Sequence, residues 1–417
     1  MAVPRLRFKG FEGNWDSRKF SDTLSFLGTN SFSRDKMNNM SGSVKNVHYG
    51  DILVRYGNVL DVLGEQIPFI NEDVSTCKIK EKDYLLSGDV IIADTAEDYT
   101  VGKATEIINT QGIKIVAGLH TQACRPKRKF AIGYIGNFIN SLAFRHQLRR
   151  IAQGTKVLSI IKTHLTDMEI HFPVEKEQQK IADFLTTFDK RIAAQQNIIA
   201  DLEETKKGLL QKIFNQEIRF KDDNGQDYPD WKDKRLGAIC QIFKGAPLSK
   251  SDISAEGKPF ILYGELYTTY SEVTYDVVRK TRTSVDERYY SEVGDVLVPT
   301  SGESAEEIST ATCVMQKGVI LAGDLNVVRS NVIDGRILSY MLNHTKKHDL
   351  SRVAQGISVV HSKAEDLKKL IISIPAVEEQ QKIAAFLSAF DKKITAEKQI
   401  ISDLKEIKKG LLQQMFV

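Results

Sequence analysis

The sequence predicts an α+β fold in which two globular heads are joined and separated by two long helices that pair as an antiparallel coiled coil. Two observations support this fold. Residues 173–214 recur as residues 375–416 without a gap, and 26 of the 42 aligned positions are identical. The stretches before these segments contain short β-branched and aromatic runs between loops rich in Gly, Ser, Thr and Asp. We therefore expect an internal repeat with approximate twofold symmetry.

Each repeated segment is predicted to form one helix, because its apolar residues follow a heptad pattern. Pro173 and Pro375 suit the first turn of these helices, and no proline interrupts either segment. The acidic residues that follow each proline complement the helix dipole. The apolar seam positions are Ile181, Leu185, Phe188, Ile192, Ile199 and Leu202 in the first segment, and Ile383, Leu387, Phe390, Ile394, Ile401 and Leu404 in the second.

A helix of roughly 40 residues is a rod about 60 Å long, and such a rod cannot bury an apolar seam alone. We expect each helix to pair with its own copy in an antiparallel arrangement, because an approximate twofold axis would bring the two together. Gln195 and Glu397 are polar seam positions near the middle of the helices, where antiparallel pairing would let them meet and fix the register. The alternative is that each helix docks on a separate partner.

The repeat divides the chain into four segments. Residues 1–172 are predicted to form the first head, 173–215 the first helix, 216–374 the second head and 375–417 the second helix. Similarity is high in the helices and low in the heads, which indicates a shared architecture carrying two heads with different tasks. Three motifs recur in the heads: Leu6-Arg7-Phe8-Lys9 with Ile218-Arg219-Phe220-Lys221, Tyr49-Gly50-Asp51-Ile52 with Tyr263-Gly264-Glu265-Leu266, and Gly88-Asp89-Val90-Ile91 with Gly294-Asp295-Val296-Leu297.

Both heads are predicted to mix strands and short helices. The Gly-Asp pairs at 88–89 and 294–295 predict a turn that leads into a buried strand. A short amphipathic helix is predicted near the end of each head, at 139–151 and 337–353. Further strands are predicted at 113–116, 260–263, 296–298 and 327–328.

Composition limits the class of protein. The chain has 417 residues, of which 41% are hydrophobic and 27% are charged, and this is typical of two or three ordinary soluble domains. No apolar run approaches the ~20 residues of a membrane span, and the first residues do not resemble a signal peptide. The four cysteines lie far apart without a C-x-x-C pair, which argues against disulfides or a metal site and fits a reduced cytoplasm.

The net charge of +4 is unevenly distributed. Residues 1–172 carry 23 basic and 18 acidic side chains, whereas residues 216–374 carry 21 basic and 23 acidic ones. A nucleic-acid partner would therefore be bound through local basic patches, since the field of the whole chain is weak.

The two helix segments resemble the specificity subunit of type I restriction–modification systems. Each begins with a Pro-x-x-x-Glu-Gln-x-x-Ile pattern, at residues 173–181 and 375–383, and ends near Lys-Lys-Gly-Leu-Leu-Gln, at 206–211 and 408–413. The Gly-Asp-Val-Ile/Leu strand openings at residues 88–91 and 294–297 are similar to those of the target-recognition domains of that family. The resemblance covers essentially the whole chain, and it is strongest in the helices.

The resemblance implies that each head reads one half of a bipartite, asymmetric DNA site. It also implies that the helices set the spacing and dock two methylation subunits, with restriction subunits joining the full complex. S-adenosylmethionine and ATP with Mg²⁺ are expected on those partners, with no cofactor on this chain. Half-sites about one helical turn apart, roughly 34 Å, require two heads held at a fixed distance.

Candidate DNA contacts in the first head are its basic residues. The run Arg125, Lys127, Arg128 and Lys129 is the densest in the chain, and Arg149 and Arg150 follow on a predicted helix. Such side chains contact phosphates and contribute salt-dependent affinity. The alternative is an ordinary solvated surface.

Candidate DNA contacts in the second head lie in two loops. One loop contains Lys244, Gly245, Ser249 and Lys250, where glycine permits a close approach to the DNA backbone. The other contains Ser301, Gly302 and Glu303, with residues 94–99 as its counterpart in the first head. Polar side chains there suit base edges in the major groove. The alternative is that both are plain surface turns.

Gly208 and Gly410 occupy the same position in the two helices. Glycine inside a helix costs about 1 kcal/mol relative to alanine, so its presence in both copies indicates a place where another helix, such as one from a methylation subunit, packs closely. The alternative is fraying near the helix end.

Catalytic motifs are missing from the sequence. It has no G-x-x-x-x-G-K loop and no H-E-x-x-H, and it lacks the Asn-Pro-Pro-aromatic motif of adenine methyltransferases. His120, His146 and His361 are interpreted as structural rather than catalytic, and the chain is expected to be non-catalytic on its own. Two other functions remain open: a coiled-coil scaffold with protein-binding heads, and a single-chain enzyme with an unrecognised site.

Overall fold

The structure is a computed structural model that describes residues 3–154, 156–302, 304–352, 360–361 and 363–417. The chain divides into two compact units. Unit 1 comprises residues 1–197 and 399–417, and unit 2 comprises residues 198–398. Each unit therefore combines one head with the beginning of one long helix and the end of the other. Among the described residues, no helix is both long and apolar enough to cross a membrane.

Unit 1 is built on a five-stranded sheet in the order β2-β11-β7-β9-β5, beside smaller sheets in the orders β10-β4-β6-β3, β1-β13 and β12-β8. Its strands are β1 (Asp16–Lys19), β2 (Leu24–Phe26), β3 (Met37–Asn38), β4 (Lys45–Val47), β5 (Val59–Asp61), β6 (Phe69–Ile70), β7 (Val90–Ala93), β8 (Thr95–Ala96), β9 (Ala104–Ile108), β10 (Ile115–Ala117), β11 (Thr121–Pro126), β12 (Leu158–Ser159) and β13 (Glu169–Phe172). Its short helices are α1 (Phe20–Thr23), α2 (Tyr49–Val54), α3 (Tyr134–Ile139), α4 (Leu142–Ile151) and α5 (Lys162–Thr166), with 3₁₀ turns at Arg34–Lys36 and Glu81–Asp83.

Unit 2 repeats this plan with a five-stranded sheet in the order β15-β23-β19-β21-β17, beside sheets in the orders β18-β16-β22, β14-β25 and β20-β24. Its strands are β14 (Lys232–Arg235), β15 (Gln241–Lys244), β16 (Lys258–Ile261), β17 (Val273–Thr274), β18 (Lys280–Thr281), β19 (Asp295–Pro299), β20 (Ser301–Gly302), β21 (Thr312–Val314), β22 (Ile320–Leu321), β23 (Leu325–Arg329), β24 (Val360–His361) and β25 (Ile371–Ile374). Its short helices are α7 (Leu236–Ile239), α8 (Glu265–Thr268), α9 (Ala305–Ile308), α10 (Gly335–Asn343), α11 (Lys347–Arg352) and α12 (Ala364–Leu367), with 3₁₀ turns at Lys250–Asp252 and Glu287–Tyr289.

The central strands β7 and β19 occupy the same place in the two sheets, and every residue of both is buried. A strand covered on both faces favours an unbroken apolar run, and accordingly β7 reads Val-Ile-Ile-Ala and the middle of β19 reads Val-Leu-Val, without polar alternation. The glycines before them, Gly88 and Gly294, both have φ of +94°, a left-handed conformation that glycine adopts without strain. The predicted turn into a buried strand is therefore confirmed in both heads.

Other predicted elements are present with shifted bounds. The strand predicted at 327–328 lies within β23, whereas those predicted at 113–116 and 260–263 only overlap β10 and β16. The helix predicted at 139–151 begins at the end of α3 and continues as α4. The helix predicted at 337–353 is broken between α10 and α11.

The long helices are α6 (Glu175–Phe214) and α13 (Val377–Gln414). Pro173 and Pro375 stand two residues before these helices rather than in their first turns. The reason lies in the glutamine of each signature motif: Gln178 Nε2 donates to the Pro173 carbonyl at 2.8 Å, and Gln380 Nε2 donates to the Pro375 carbonyl at 3.0 Å. Each proline carbonyl is thus held by a side chain outside the helical ladder.

In unit 1 the beginning of α6 packs against the end of α13. Ile181 and Leu185 share one hydrophobic core with Met415 and Phe416. Further along α6, Asp189 pairs with Lys408 of α13, which comes before Met415 in the chain. Contacts that advance along one helix retreat along the other, so the two helices run antiparallel.

In unit 2 the same arrangement is repeated. Leu210 and Ile213 near the end of α6 share a core with Ile383 and Leu387 near the beginning of α13. The predicted antiparallel pairing is therefore confirmed within each unit, in preference to helices docked on separate partners. The seam residues Ile181, Leu185, Ile199, Ile383, Leu387, Ile394 and Leu404 are buried, while Phe188, Ile192, Leu202, Phe390 and Ile401 are half-buried.

The polar seam positions Gln195 and Glu397 are both half-buried. Gln195 lies on the unit 1 portion of α6, and Glu397 lies on the unit 2 portion of α13. Their predicted meeting at the middle of the helices stays a prediction.

Candidate nucleic-acid interface

Arg125 and Arg329 occupy equivalent places in the central sheets. Arg125 Nε and Nη2 lie 2.9 and 2.7 Å from the carboxylate oxygens of Asp89, whose side chain is 2% exposed. Arg329 binds Asp295 in the same way, at 2.8 and 2.7 Å. The hydrogen bonds that Arg125 donates to Asp89 are the main cause that raises the pKa of Arg125. The ion pair with Asp89 gives Arg125 a role inside the head, and its predicted contact with DNA stays a prediction.

The other basic residues of the run lie at the surface with local partners. Lys127 donates to a backbone carbonyl at 2.6 Å. The Arg128 guanidinium lies 4.5 Å from the ring centre of Phe172. Lys129 pairs with Glu175 at 2.7 Å, and both side chains are more than half exposed. Exposed lysine pairs of this kind are weak, so phosphate contact by these residues stays a prediction.

Arg149 and Arg150 lie in the last turn of α4, as expected from the pattern, and both are exposed. A basic residue in the last turn is favoured by the helix dipole. The helix dipole alone therefore accounts for basic residues at these two positions. Their role in DNA binding also stays a prediction.

In the second head, the loop that contains Lys244 and Lys250 borders a groove of about 980 Å³. Glycine is required at position 245, because a Cβ there would lie 2.8 Å from the carbonyl oxygen of Leu321. Ser249 caps the 3₁₀ turn that follows, since its Oγ accepts from the backbone nitrogen of Ser251 at 3.3 Å. The structure thus brings the four predicted residues of this loop together at one groove.

The second predicted loop leads from β19 into the short strand β20. Ser301 is half-buried, and its Oγ donates to Asp324 Oδ2 at 3.2 Å. Gly302 is buried and pairs with β24. Glu303 lies outside the described residues. Asp324 also borders the groove of the first loop, so the two predicted loops meet at this residue.

The first head has the same arrangement, with different side chains. The backbone nitrogen of Asp94 donates to the carbonyl of His120 at 3.0 Å, as that of Thr300 donates to the carbonyl of Asp324 at 2.8 Å. Thr95 begins the short strand β8, as Ser301 begins β20. His120 is therefore the structural counterpart of Asp324.

A tyrosine from the repeated Tyr-Gly-acid motif completes each cluster. The Tyr49 ring lies 5.2 Å from the His120 ring in an edge-on arrangement, and Tyr263 borders the groove together with Asp324. We name these groups the first tip cluster (Tyr49, Asp94, Thr95 and His120) and the second tip cluster (Tyr263, Thr300, Ser301 and Asp324).

The acidic residue of the same motif forms an ion pair with an arginine in each head. Asp51 accepts two hydrogen bonds from Arg34, at 2.9 and 2.7 Å. Glu265 accepts from Arg279 at 2.7 Å. Both carboxylates are largely buried and the bond to Asp51 raises the pKa of Arg34. These charged pairs lie in the first turns of α2 and α8; Tyr49 is the first residue of α2, and Tyr263 lies two residues before α8.

The glutamate of each helix signature holds the helix to its own head. Glu177 is fully buried and accepts two hydrogen bonds of 2.8 Å from Arg7. Glu379 is also fully buried and accepts from Arg219 at 3.1 and 2.8 Å. The Trp231 indole adds a third hydrogen bond to Glu379, at 3.0 Å. The arginine of the recurring Arg-Phe-Lys motif and the glutamate of the Glu-Gln motif therefore form one ion pair in each unit.

The model of the family described as type I restriction modification DNA specificity domain matches this chain twice, at residues 29–204 and 228–406. These matches cover most of the chain and follow its two-part repeat. This chain belongs to the type I restriction–modification specificity family.

Relatives of this specificity-family chain include two proteins of Methanocaldococcus jannaschii. The protein designated MjaX is 24% identical over 420 residues, covering 96% of this chain and 92% of the relative. The type I restriction enzyme MjaIX specificity subunit is 23% identical over 302 residues, covering 70% of this chain and 69% of the relative.

Two solved structures share the fold. The type I restriction–modification S subunit from M. genitalium has a TM-score of 0.57 at 14% identity, and the match covers 100% of this chain and 99% of that one. A chain from a structure of a type I restriction–modification system, solved to describe complex assembly and conformational transition, has a TM-score of 0.54 at 17% identity. That match covers 95% of this chain and 96% of the other.

Each helix pair contains a buried lysine that the sequence pattern did not predict. Lys206 Nζ lies 2.6 Å from Asp391 and 3.1 Å from Glu272, and Lys408 pairs with Asp189. Burial alone would raise the pKa of Glu272, but a hydrogen bond from His344 and the charge of Lys206 outweigh it and lower the pKa to about 2. The available signal was that both lysines and both aspartates recur at the repeat offset.

Gly208 and Gly410 have space around them. A Cβ built on either glycine would meet no heavy atom within 4 Å among the described residues. No helix of this chain's described part therefore explains the two glycines, and close packing of a partner helix stays a prediction.

Proposed function

We propose that this chain is the sequence-specific DNA-binding subunit of a type I restriction–modification complex, with each head reading one half of a bipartite, asymmetric site. The observation that carries the proposal is the contrast between the two heads. They share sheet order, buried Asp–Arg pairs and helix attachment, yet their tip clusters carry different side chains. Two heads of the same fold that expose different side chains suit two different half-sites.

The helices are proposed to set the spacing of the half-sites and to dock the partners. Two repeated helix ends, each attached to a head by the same Glu–Arg contact, suit two copies of one methylation subunit. S-adenosylmethionine would belong to those subunits, and ATP with Mg²⁺ would belong to restriction subunits in the full complex. This chain would contribute recognition without chemistry, in the cytoplasm where the host DNA lies.

Exchange of one head tests the proposal. Residues 1–172 are replaced by the first head of another family member, and the hybrid is assembled with its methylation partner. Adenine methylation is then mapped on DNA. We expect one half of the recognised sequence to change and the other half to persist. The converse exchange of residues 216–374 is the matched control, and it should change only the other half.

The same experiment separates the alternatives. If both halves survive the exchange of residues 1–172, head-wise reading is wrong. A protein-binding scaffold predicts no sequence-dependent retention of DNA by the assembled complex. A single-chain enzyme predicts turnover by the isolated chain without its partners.

A further inference from the structure

His120 and Asp324 share one backbone position in the two heads. β11 pairs with β7 and β23 pairs with β19 in matching antiparallel registers. His120 immediately precedes β11 and Asp324 immediately precedes β23. Each carbonyl accepts from the residue that follows the end of the neighbouring central strand, β7 or β19. Both side chains are exposed. The two heads thus present different functional groups from the same place.

The backbone at this position is strained in the first head. His120 has φ of +54°, in the left-handed region that non-glycine residues seldom adopt. Strain of this kind persists where the surroundings impose it and is frequent at functional sites. The residue at this position carries an exposed imidazole, which makes its side chain a candidate for a functional role.

Neighbouring groups determine which atoms His120 offers. Thr95 Oγ1 donates to Asp94 Oδ1 at 2.9 Å, because a carboxylate can only accept. The same hydroxyl oxygen lies 3.4 Å from His120 Nδ1, so Nδ1 carries the proton that this contact requires. In the tautomer that carries its proton on Nδ1, Nε2 is an acceptor. Gln122 Nε2 donates to the other Asp94 oxygen at 2.6 Å and holds the carboxylate in place.

Asp324 offers a charged acceptor in the second head. Its Oδ2 accepts from Ser301 at 3.2 Å, which leaves lone pairs on the carboxylate for a ligand. The side chain borders the groove beside Lys244 and Lys250, whose ammonium groups suit phosphates next to a base contact. In the major groove, a carboxylate accepts from the amino group of cytosine or adenine and repels the O6 of guanine and the O4 of thymine.

We propose that His120 and Asp324 are the base-reading residues of the two tip clusters, each accepting a hydrogen bond from an exocyclic amino group of cytosine or adenine in its own half-site. Thr95, Asp94 and Ser301 are positioning residues. The inference rests on the proposed function, because it requires each head to meet one half of a bipartite DNA site.

Binding selection by single-residue variants tests the inference. The chain is assembled with its methylation partner and incubated with duplex DNA in which both half-sites are randomised, and bound DNA is sequenced. For Asp324→Asn we expect about a tenfold change in preference at one base pair or adjacent pairs of the second half-site, with the first half-site unchanged. An amide adds a donor, so adenine should gain over cytosine. His120→Asn should alter only the first half-site.

Two further variants control for charge and folding. Asp276→Asn removes the same charge from an exposed site of the same head that does not border the groove, and it should leave both half-sites unchanged. His120→Gly relieves the backbone strain, so it should fold at least as well as the parent and still lose preference in the first half-site.

Each outcome decides between the inference and the proposed function. If Asp324→Asn and His120→Asn select the same DNA as the parent, the inference is wrong while head-wise reading stands. A uniform loss of affinity, or a change in both half-sites from one substitution, also overturns it. If the parent selects no sequence in either half, the proposed function itself fails.

Discussion

Removal of Arg7 tests how each head is held to its helix. Arg7→Ala leaves the fully buried Glu177 carboxylate without its two charged hydrogen bonds. Breaking a buried ion pair by removing one partner costs about 3–5 kcal/mol, because the remaining charge is uncompensated. We expect unit 1 to lose stability of that size.

Arg219→Ala is the matched substitution in unit 2, and the structure predicts a smaller effect. Glu379 keeps the hydrogen bond from Trp231 Nε1 at 3.0 Å, whereas Trp15 Nε1 makes no hydrogen bond within the described residues. A hydrogen bond to a charged group contributes about 1.5–3 kcal/mol. The loss in unit 2 should therefore be lower than the loss in unit 1 by about that amount.

Tryptophan fluorescence during urea unfolding measures the two effects separately. The chain has two tryptophans, and each unit holds one of them. Trp231→Phe leaves Trp15 to report on unit 1, and Trp15→Phe leaves Trp231 to report on unit 2. The double variant Arg7→Ala with Glu177→Gln should recover part of the loss, because the uncompensated charge is gone. An Arg7→Ala loss below about 0.5 kcal/mol, or a larger loss for Arg219→Ala, would refute the reasoning.

Three further predictions follow from the structure. Burial raises the pKa of Glu106 to about 7 from its ordinary 4.5, against backbone hydrogen bonds from Gly136 and Gly133, so its protonated form stabilises unit 1 at low pH. That contribution, about 3 kcal/mol, is complete below pH 4.5 and is lost as the pH rises through 7. In Glu106→Gln, urea unfolding of unit 1 should lose this pH dependence, and an unchanged dependence would exclude Glu106 as its source. Lys206→Met should destabilise unit 2 by about 3 kcal/mol. This loss should exceed the loss that Lys408→Met causes in unit 1, because Lys206 pairs with two carboxylates and Lys408 pairs with Asp189. Equal shifts of the urea unfolding midpoints of the two units would contradict this. Gly208→Leu with Gly410→Leu should raise helix stability, by about 1 kcal/mol for each site, while circular dichroism stays helical and assembly with the methylation partner weakens; undiminished assembly would remove the partner-packing hypothesis.

The helix pair was predictable because the same heptad pattern occurs twice in the sequence. An apolar seam at heptad spacing fixes both the helix and the face that it buries, and Ile181 and Ile383 are accordingly buried. The buried Lys206 was not predictable from the same pattern, because an ammonium group is ordinarily exposed. Its burial depends on Glu272, which comes from a distant part of the chain.

The candidate DNA contacts were less predictable, because basic residues in sequence do not reveal their partners. Arg125 stands in the densest basic run, yet its partner Asp89 lies 36 residues earlier and reaches it only through sheet pairing. His120 and Asp324 share no sequence pattern. Their equivalence rests on backbone hydrogen bonds in folded heads, and it becomes visible only when the two sheets are aligned strand by strand.

Mapping of methylated adenines tests the central claim most directly. DNA from cells that express this chain with its methylation partner is sequenced for N6-methyladenine. We expect one recognition sequence with two different blocks of specified bases, separated by a gap of unspecified bases whose length is constant. A single uninterrupted block, or a gap that varies from site to site, would contradict it.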